Sequence, residues 1–297
     1  MIVVNDLTLT YPGGKGVFDL NFTVKEGEVM GYLGPNGAGK TTTIRALLGF
    51  MRPDKGSCSI NNLDCNEKAA DIQSNLGYIP GEISFIDGMS GYEFLKFMHD
   101  MRRMKRRSRQ QELLEMFELN PEGKIKKFSK GMKQKLGIVA AFMHDPDILV
   151  LDEPTSGLDP LMQVRFVELI LHEKARGKTI LMSSHSFEET ERTCDNILII
   201  KEGRIISQSD IQTLKGAQRK GYILKTADPE RTISDLRQAD CEAELISDER
   251  IKVYVAGAKI DQFVKITARH TVSDLDVINQ TLEDAFLQFY GREEERS

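Results

Sequence analysis

The consecutive residues Gly34-Pro35-Asn36-Gly37-Ala38-Gly39-Lys40-Thr41 match the phosphate-loop pattern G-x-x-x-x-G-K-[ST] at every fixed position. The apolar segment Val29-Met30-Gly31-Tyr32-Leu33 precedes them and reads as a strand. The helix-compatible run Thr42 to Leu48 follows. In such a strand–loop–helix unit the glycines let successive N–H groups point inward around a phosphate. The start of the helix adds positive potential. Lys40 is placed to reach the β- and γ-phosphates of a nucleotide, and the Thr41 hydroxyl to ligate Mg²⁺.

Two further segments fix the fold class. Ile148-Leu149-Val150-Leu151 is continuously apolar, as expected of a parallel strand buried on both faces, and it ends in Asp152-Glu153. Thr179-Ile180-Leu181-Met182 has the same character and ends in Ser183-Ser184-His185. Polar residues delivered at the carboxyl ends of buried strands are the ligand-binding pattern of an open α/β sheet.

Upstream, Leu7, Leu9 and Tyr11 alternate on one strand face, and Phe18, Leu20, Phe22 and Val24 on another. Pro12-Gly13-Gly14 turns between them, which predicts an antiparallel sheet. On spacing alone Tyr11 is an ordinary strand tyrosine or an aromatic platform for a base. Ser57 to Asn61 and Leu76 to Pro80 read as short strands, with Pro53 to Gly56 as a turn. From Ser90 to about Asn120 the period becomes helical, with Tyr92, Leu95 and Met98, then Leu113, Met116 and Phe117, at helix spacing. The basic run Arg102 to Arg107 reads as a solvated face or loop, or as a contact with an anionic membrane surface. Near Gln212 to Arg219 the character changes, and Lys215-Gly216-Ala217-Gln218 reads as a linker. A small α+β arrangement follows: strand 221–225, helix 231–238, strands 243–246 and 250–255, helix 260–268, strand 272–277 and a terminal helix 281–290. No catalytic constellation stands out there, and His270 reads as structural or solvated.

Composition excludes several classes. With 40% hydrophobic and 29% charged residues the chain is of ordinary globular type, and 297 residues suffice for two domains. A formal net charge of −5 argues against a general nucleic-acid binder. Cys58, Cys65, Cys194 and Cys241 form no C-x-x-C pair and read as free thiols. No secretory leader is expected at Met1-Ile2-Val3-Val4, and no apolar run approaches the ~20 residues that span a bilayer.

With these pieces placed, the chain resembles an ATP-binding cassette subunit over residues 1 to about 210. The decisive addition is Phe128-Ser129-Lys130-Gly131-Met132-Lys133-Gln134, which is similar to the family's signature segment. The resemblance implies a phosphate-loop NTPase α/β sheet with an N-terminal antiparallel β subdomain and a helical subdomain over about 82–145. These lie in a nucleotide-binding domain of residues 1–212, followed by a small C-terminal α+β domain, 219–297. Carried over by motif, ATP would lie on Gly34 to Thr42, with Tyr11 stacking on adenine. Asp152 would hold Mg²⁺ with Thr41; Glu153 would polarise the attacking water, with His185 on the γ-phosphate. Ser129, Lys130, Gly131 and Met132 would complete the site of a second subunit, and Ser156-Gly157-Leu158-Asp159 would form the loop that communicates across the dimer.

Two positions depart from the family. Lys130 and Met132 stand where the signature usually has glycine and glutamine. The glutamine expected after the Tyr-x-Pro segment is replaced by Gly81, and the following Glu82 offers a carboxylate oxygen toward Mg²⁺ in its place. The resemblance implies an ATPase on the cytoplasmic face of a membrane, paired with a second nucleotide-binding subunit and a separate permease. Phe85, Phe94, Phe97 and Met98 would be either core residues or the lining of a groove for that permease. The C-terminal appendage and the Leu282-Glu283-Asp284-Ala285-Phe286-Leu287 ending are similar to those of bacterial exporters of drugs, peptides or polymers. The alternative is a non-transport cassette ATPase of regulation, translation or DNA repair. Against it stand the single cassette, the absence of inserted coiled coils or zinc modules, and the retained Lys40, Asp152, Glu153 and His185.

Overall fold

The computed structural model describes residues 1–104, 108–217, 219–256 and 259–278. They divide into two compact units, with the boundary between Asp210 and Ile211.

The first unit begins with β1 (Ile2–Thr10), β2 (Gly16–Val24), β3 (Val29–Leu33) and α1 (Lys40–Leu47). Then come β4 (Lys55–Ile60), β5 (Leu63–Asp64), α2 (Ala69–Ser74) and β6 (Leu76–Ile79). Helices α3 (Gly91–Met101), α4 (Ser108–Met116) and α5 (Lys130–Phe142) follow. The last part contains β7 (Ile148–Asp152), α6 (Pro160–Ala175), β8 (Thr179–Ser184), α7 (Phe187–Thr193), β9 (Asn196–Lys201) and β10 (Arg204–Asp210).

Two sheets result. An antiparallel sheet has the order β2-β1-β4-β5, and a six-stranded sheet the order β10-β9-β3-β8-β7-β6. In the second, β6, β7, β8, β3 and β9 run parallel, and β10 is an antiparallel edge. Every residue of β3, β7 and β8 is buried, as their apolar runs require, and β7 and β8 carry polar residues into the interior at their carboxyl ends. The Asn196–Asp210 hairpin, which the sequence pattern did not single out, closes this sheet's edge.

Bulges adjust the antiparallel sheet. Asp6 and Asp19 adopt left-handed backbone (φ 47° and 52°), and the β1–β2 register shifts beside them. The shift turns Val17, rather than Phe18, into the core with Leu20, Phe22 and Val24. Phe18 remains half-buried under the Arg204 guanidinium, 5.4 Å from its ring centre.

The helical part is less apolar than its spacing suggests. Ser90 and Glu93 form a reciprocal capping box that starts α3. Of the stripe Tyr92, Leu95 and Met98, only Leu95 is buried, and Tyr92 is 49% exposed. A charged clasp ties α4 to α6: buried Glu173 receives the guanidiniums of Arg109 and Arg176. Arg176 also grips Asp145 with both terminal nitrogens at 2.7 Å, holding that carboxyl down to about 2.

The second unit comprises α8 (Ile211–Ala217), β11 (Arg219–Thr226), α9 (Pro229–Gln238), β12 (Glu242–Ser247), β13 (Arg250–Ala256), α10 (Ile260–Thr267) and β14 (Val272–Ile278). Its antiparallel sheet has the order β12-β13-β11-β14, the split β-α-β topology of ferredoxin-like domains. Leu224, Leu236, Ile251, Val253 and Phe263 fill its core, with Phe263 stacked on Tyr222 at 4.6 Å. Lys215 to Ala217, expected in a linker, instead end α8. His270 is an internal clip: its side chain is 7% exposed and bonds Thr232 at 3.1 Å and Asp235 at 3.0 Å. The expected helix 281–290, the 282–287 ending and residues 105–107 of the basic run lie outside the described residues.

Because each unit has its own core, a chain ending at Asp210 is expected to fold alone and melt in one cooperative transition. Circular dichroism with thermal unfolding checks this; an insoluble or non-cooperative product would place the boundary elsewhere.

Candidate nucleotide site

The carboxyl ends of β3, β7 and β8 converge. Leu33 pairs with Ser184 and Asp152 with Ser183, so the phosphate loop, the acidic pair and His185 all emerge at one edge of the sheet.

The loop after β3 can be built only from small residues at two points. A Cβ on Gly34 would lie 2.4 Å from the Ile200 carbonyl oxygen, and Gly39 has φ 114° with Val17 close behind it. Gly39 precedes α1 directly, and no side chain caps that helix. Its first residues Lys40, Thr41 and Thr42 line a cleft of ≈ 270 Å³ together with Tyr11, Lys15, Gly16, Pro35, Asn36, Gly37, Gly39 and Glu153. Ala38 is buried beneath the loop and accepts a hydrogen bond from Gly203.

Three ionic groups hold this cleft in shape. Lys40 is buried and donates to the carbonyls of Gly34 at 2.6 Å and Pro35 at 3.2 Å, with Glu153 at 3.4 Å. Asp152, fully buried, accepts from the Thr41 hydroxyl at 2.7 Å and from the Ser183 hydroxyl at 2.5 Å. Glu153 has φ 45°, a left-handed conformation uncommon for glutamate. Its N–H is secured by the Ser183 hydroxyl at 3.0 Å, and one carboxylate oxygen lies 3.6 Å from His185 Nδ1. His185 itself is 65% exposed.

The remaining expected site residues are placed as follows. The Tyr11 hydroxyl bonds Thr42 at 3.4 Å and Met51 Sδ at 3.3 Å, which fixes the ring at the cleft's rim. Ser129 caps α5, accepting from the Met132 N–H. Lys130 donates to the Ser156 hydroxyl at 3.1 Å, and Gly131 lies so close to Gly157 that a Cβ would meet its carbonyl oxygen at 2.9 Å. Leu158 is buried, and Asp159 caps α6 through the Met162 N–H. Ser129 to Met132 and Ser156 to Asp159 therefore meet one another, and none of them lines the phosphate-loop cleft. Glu82 is exposed and makes no hydrogen bond or ion pair among the described residues, whereas Gly81 approaches the Asp152 carboxylate.

Sequence reasoning passed over two members of this arrangement. Ser183 holds both Asp152 and the Glu153 amide; its signal was a hydroxyl ending a buried strand beside the acidic one. Gln134 sends its amide to the Pro154 carbonyl at 2.7 Å, tying the α5 helix to the loop after Glu153.

A phosphate loop on a parallel sheet, with two consecutive acids two strands away, defines a phosphate-loop nucleoside triphosphatase. The family model described as ABC transporter matches residues 17–156. The chain is 34% identical to the bacitracin transport ATP-binding protein BcrA of Bacillus licheniformis, over 98% of this chain and 97% of that one. It is also 34% identical to the Nod factor export ATP-binding protein I of Burkholderia lata, over 92% and 91% respectively. A solved structure of an ATP-binding subunit of an ABC transporter superposes with a TM-score of 0.67 at 28% identity, covering 90% of this chain and 99% of the other. The chain belongs to the ABC transporter ATP-binding family, and its activity is that of an ATPase.

Lys40→Ala is expected to weaken ATP binding by at least about tenfold, since a hydrogen bond to a charged group contributes about 1.5–3 kcal/mol. A direct binding titration, with the melting temperature as a control for folding, checks it. Unchanged affinity would contradict the phosphate-loop assignment.

Proposed function

We propose that this chain hydrolyses ATP to drive export through a separate membrane permease, working as one half of a pair of nucleotide-binding subunits. The observation that carries this reading is the division of the expected site residues into two groups. Lys40, Thr41, Asp152, Glu153 and His185 gather at the phosphate-loop cleft, while Ser129 to Met132 meet Ser156 to Asp159 away from it. A site split in this manner within one chain is completed by a second copy or a similar partner, whose signature segment faces the γ-phosphate.

Mg²⁺ fits the residues present. The Thr41 hydroxyl and the Asp152 carboxylate are hard oxygen donors 2.7 Å apart, the donor type this ion prefers. Bound there with ATP it would supply charge neutralisation to the phosphates. Thr41 and Asp152 would hold it, and Glu82 remains a proposed further oxygen donor, reached by a change in its exposed loop. Lys40 would exchange its carbonyl partners for the β- and γ-phosphates. Glu153, already oriented by Ser183 and next to His185, would take a proton from the attacking water, and His185 would steady the γ-phosphate. Tyr11 would stack on adenine.

Export is favoured by the bacitracin transport and Nod factor export proteins to which nearly the whole chain is similar. Among the described residues no helix is long and apolar enough to cross a membrane. Docking at a membrane face would use the helical part. Phe85 and Phe94 pack edge to face at 4.9 Å and are only half-buried, and Tyr92, Phe97 and Met101 are exposed. Such a surface suits an apolar cytoplasmic helix of the permease.

Glu153→Gln is expected to keep ATP binding and to lower turnover by about 10²–10⁴-fold, the usual worth of a general base. With ATP retained, the variant should sediment as a dimer. Wild-type turnover would remove Glu153 from the catalytic role, and a monomer at saturating ATP would contradict the shared site.

A further inference from the structure

Ser186-Phe187-Glu188-Glu189 has the sequence of a capping box, in which the third residue after the cap turns its carboxylate back to the cap's N–H. Half of that box is present: the Ser186 hydroxyl accepts from the Glu189 N–H. The other half is not. The Ser186 N–H goes to the Ser184 hydroxyl at 3.0 Å, and the Glu189 carboxylate turns inward. There it accepts from the Ser184 hydroxyl at 2.7 Å, and Thr155 lines the same cavity beside it. The second oxygen, Oε1, is buried with no hydrogen-bond partner, and the Thr155 hydroxyl is the neighbouring group able to satisfy it.

Each of these partners is a neighbour of the chemistry. Ser184 directly precedes His185, and its carbonyl receives the Gly34 N–H of the phosphate loop at 3.4 Å. Thr155 follows Glu153 by two residues, in the loop that Gln134 also holds. One carboxyl group therefore bonds the strand end carrying His185 and turns its unpartnered oxygen to the cavity shared with the loop carrying Glu153. Those two side chains stand 3.6 Å apart, close enough that small drift of either would change how both meet a water molecule.

We infer that Glu189 is a positioning residue that keeps Glu153 and His185 at their working separation by bridging Ser184 and Thr155. The inference rests on the catalytic pairing proposed above. Burial raises the pKa of the Glu189 carboxyl, with the Ser184 and Thr155 hydroxyls and the His185 charge acting the other way and Glu153 adding to the rise. Glutamine keeps the shape and one accepting oxygen of this side chain, and alanine keeps neither.

Steady-state ATP hydrolysis by the full chain tests this, with melting temperatures recorded for every variant. Glu189→Ala should lower kcat about ten- to a hundredfold, the scale of a misplaced catalytic group, with KM for ATP and melting temperature little changed. Glu189→Gln should recover kcat to within about threefold of wild type, because the amide can both accept from Ser184 and donate to Thr155. In a His185→Ala background the same Glu189→Ala change should add less than about a threefold further loss, since residues acting as a unit are not additive. Should Glu189→Ala fail to fold, Thr155→Val cuts the bridge from its other end and should reproduce the kcat loss. Equal losses in the Ala and Gln variants, or a full multiplicative loss in the double variant, would overturn the inference in favour of a merely structural role. An unchanged kcat in both Glu189→Ala and Thr155→Val would overturn it as well. The Glu153→Gln result separates the two levels. If that variant turns over normally the catalytic pairing itself fails, whereas normal Glu189 variants beside an inactive Glu153→Gln remove only the bridge.

Discussion

Asp152 is the interaction on which the rest of the site depends. A carboxylate with no solvent exposure is tolerated only when its oxygens are hydrogen-bonded, and here two hydroxyls from different elements meet that need. Thr41 comes from the phosphate-loop helix and Ser183 from the neighbouring strand. Asp152 thus fixes α1 against β7 and β8, and through them the mouth of the cleft. Gly81 completes the packing, since any side chain there would press on the carboxylate: its Cβ would stand 3.0 Å from Oδ2.

The next residue shows what that anchoring permits. Glu153 holds a left-handed backbone that costs of order 1–3 kcal/mol, and it persists because its N–H is held by Ser183. The strain aims its carboxylate away from the buried strand and toward Lys40 on one side and His185 on the other. A buried lysine satisfied by two loop carbonyls, and an acid held beside it, form a site whose polar groups are already paired within the chain. In the binding role proposed for it, a nucleotide would exchange these partners instead of ordering a loose loop, which lowers the entropic cost of binding.

Much of this was legible in the sequence for a simple reason. Strands buried on both faces must be continuously apolar, so Ile148–Leu151 and Thr179–Met182 announced themselves, and the polar residues after them could be assigned to the ligand edge. From β11 to β14 the order of strands and helices in the second unit was equally readable. What escaped depended on long-range partners. Asp6 and Asp19 look like ordinary polar strand residues, yet their bulges exchange Val17 for Phe18 in the core. Lys215 to Ala217 carry the composition of a linker, but Leu214 is buried and the segment finishes a helix. Ser186 and Glu189 spell a local capping box, and only the fold reveals that Ser184 takes the carboxylate. Glu82, proposed from the family resemblance as a substitute oxygen donor, lies at the surface, while the backbone sets Gly81 beside Asp152.

The role given to Asp152 is tested most directly by the Mg²⁺ dependence of ATP affinity. Calorimetric titrations with Mg²⁺, and with EDTA in its place, should show tighter binding with the ion for the wild-type chain. Asp152→Asn should bind ATP in EDTA as the wild type does, and should lose the gain that Mg²⁺ brings. An equal gain in both proteins would contradict the assignment of Asp152 as the residue that holds the ion.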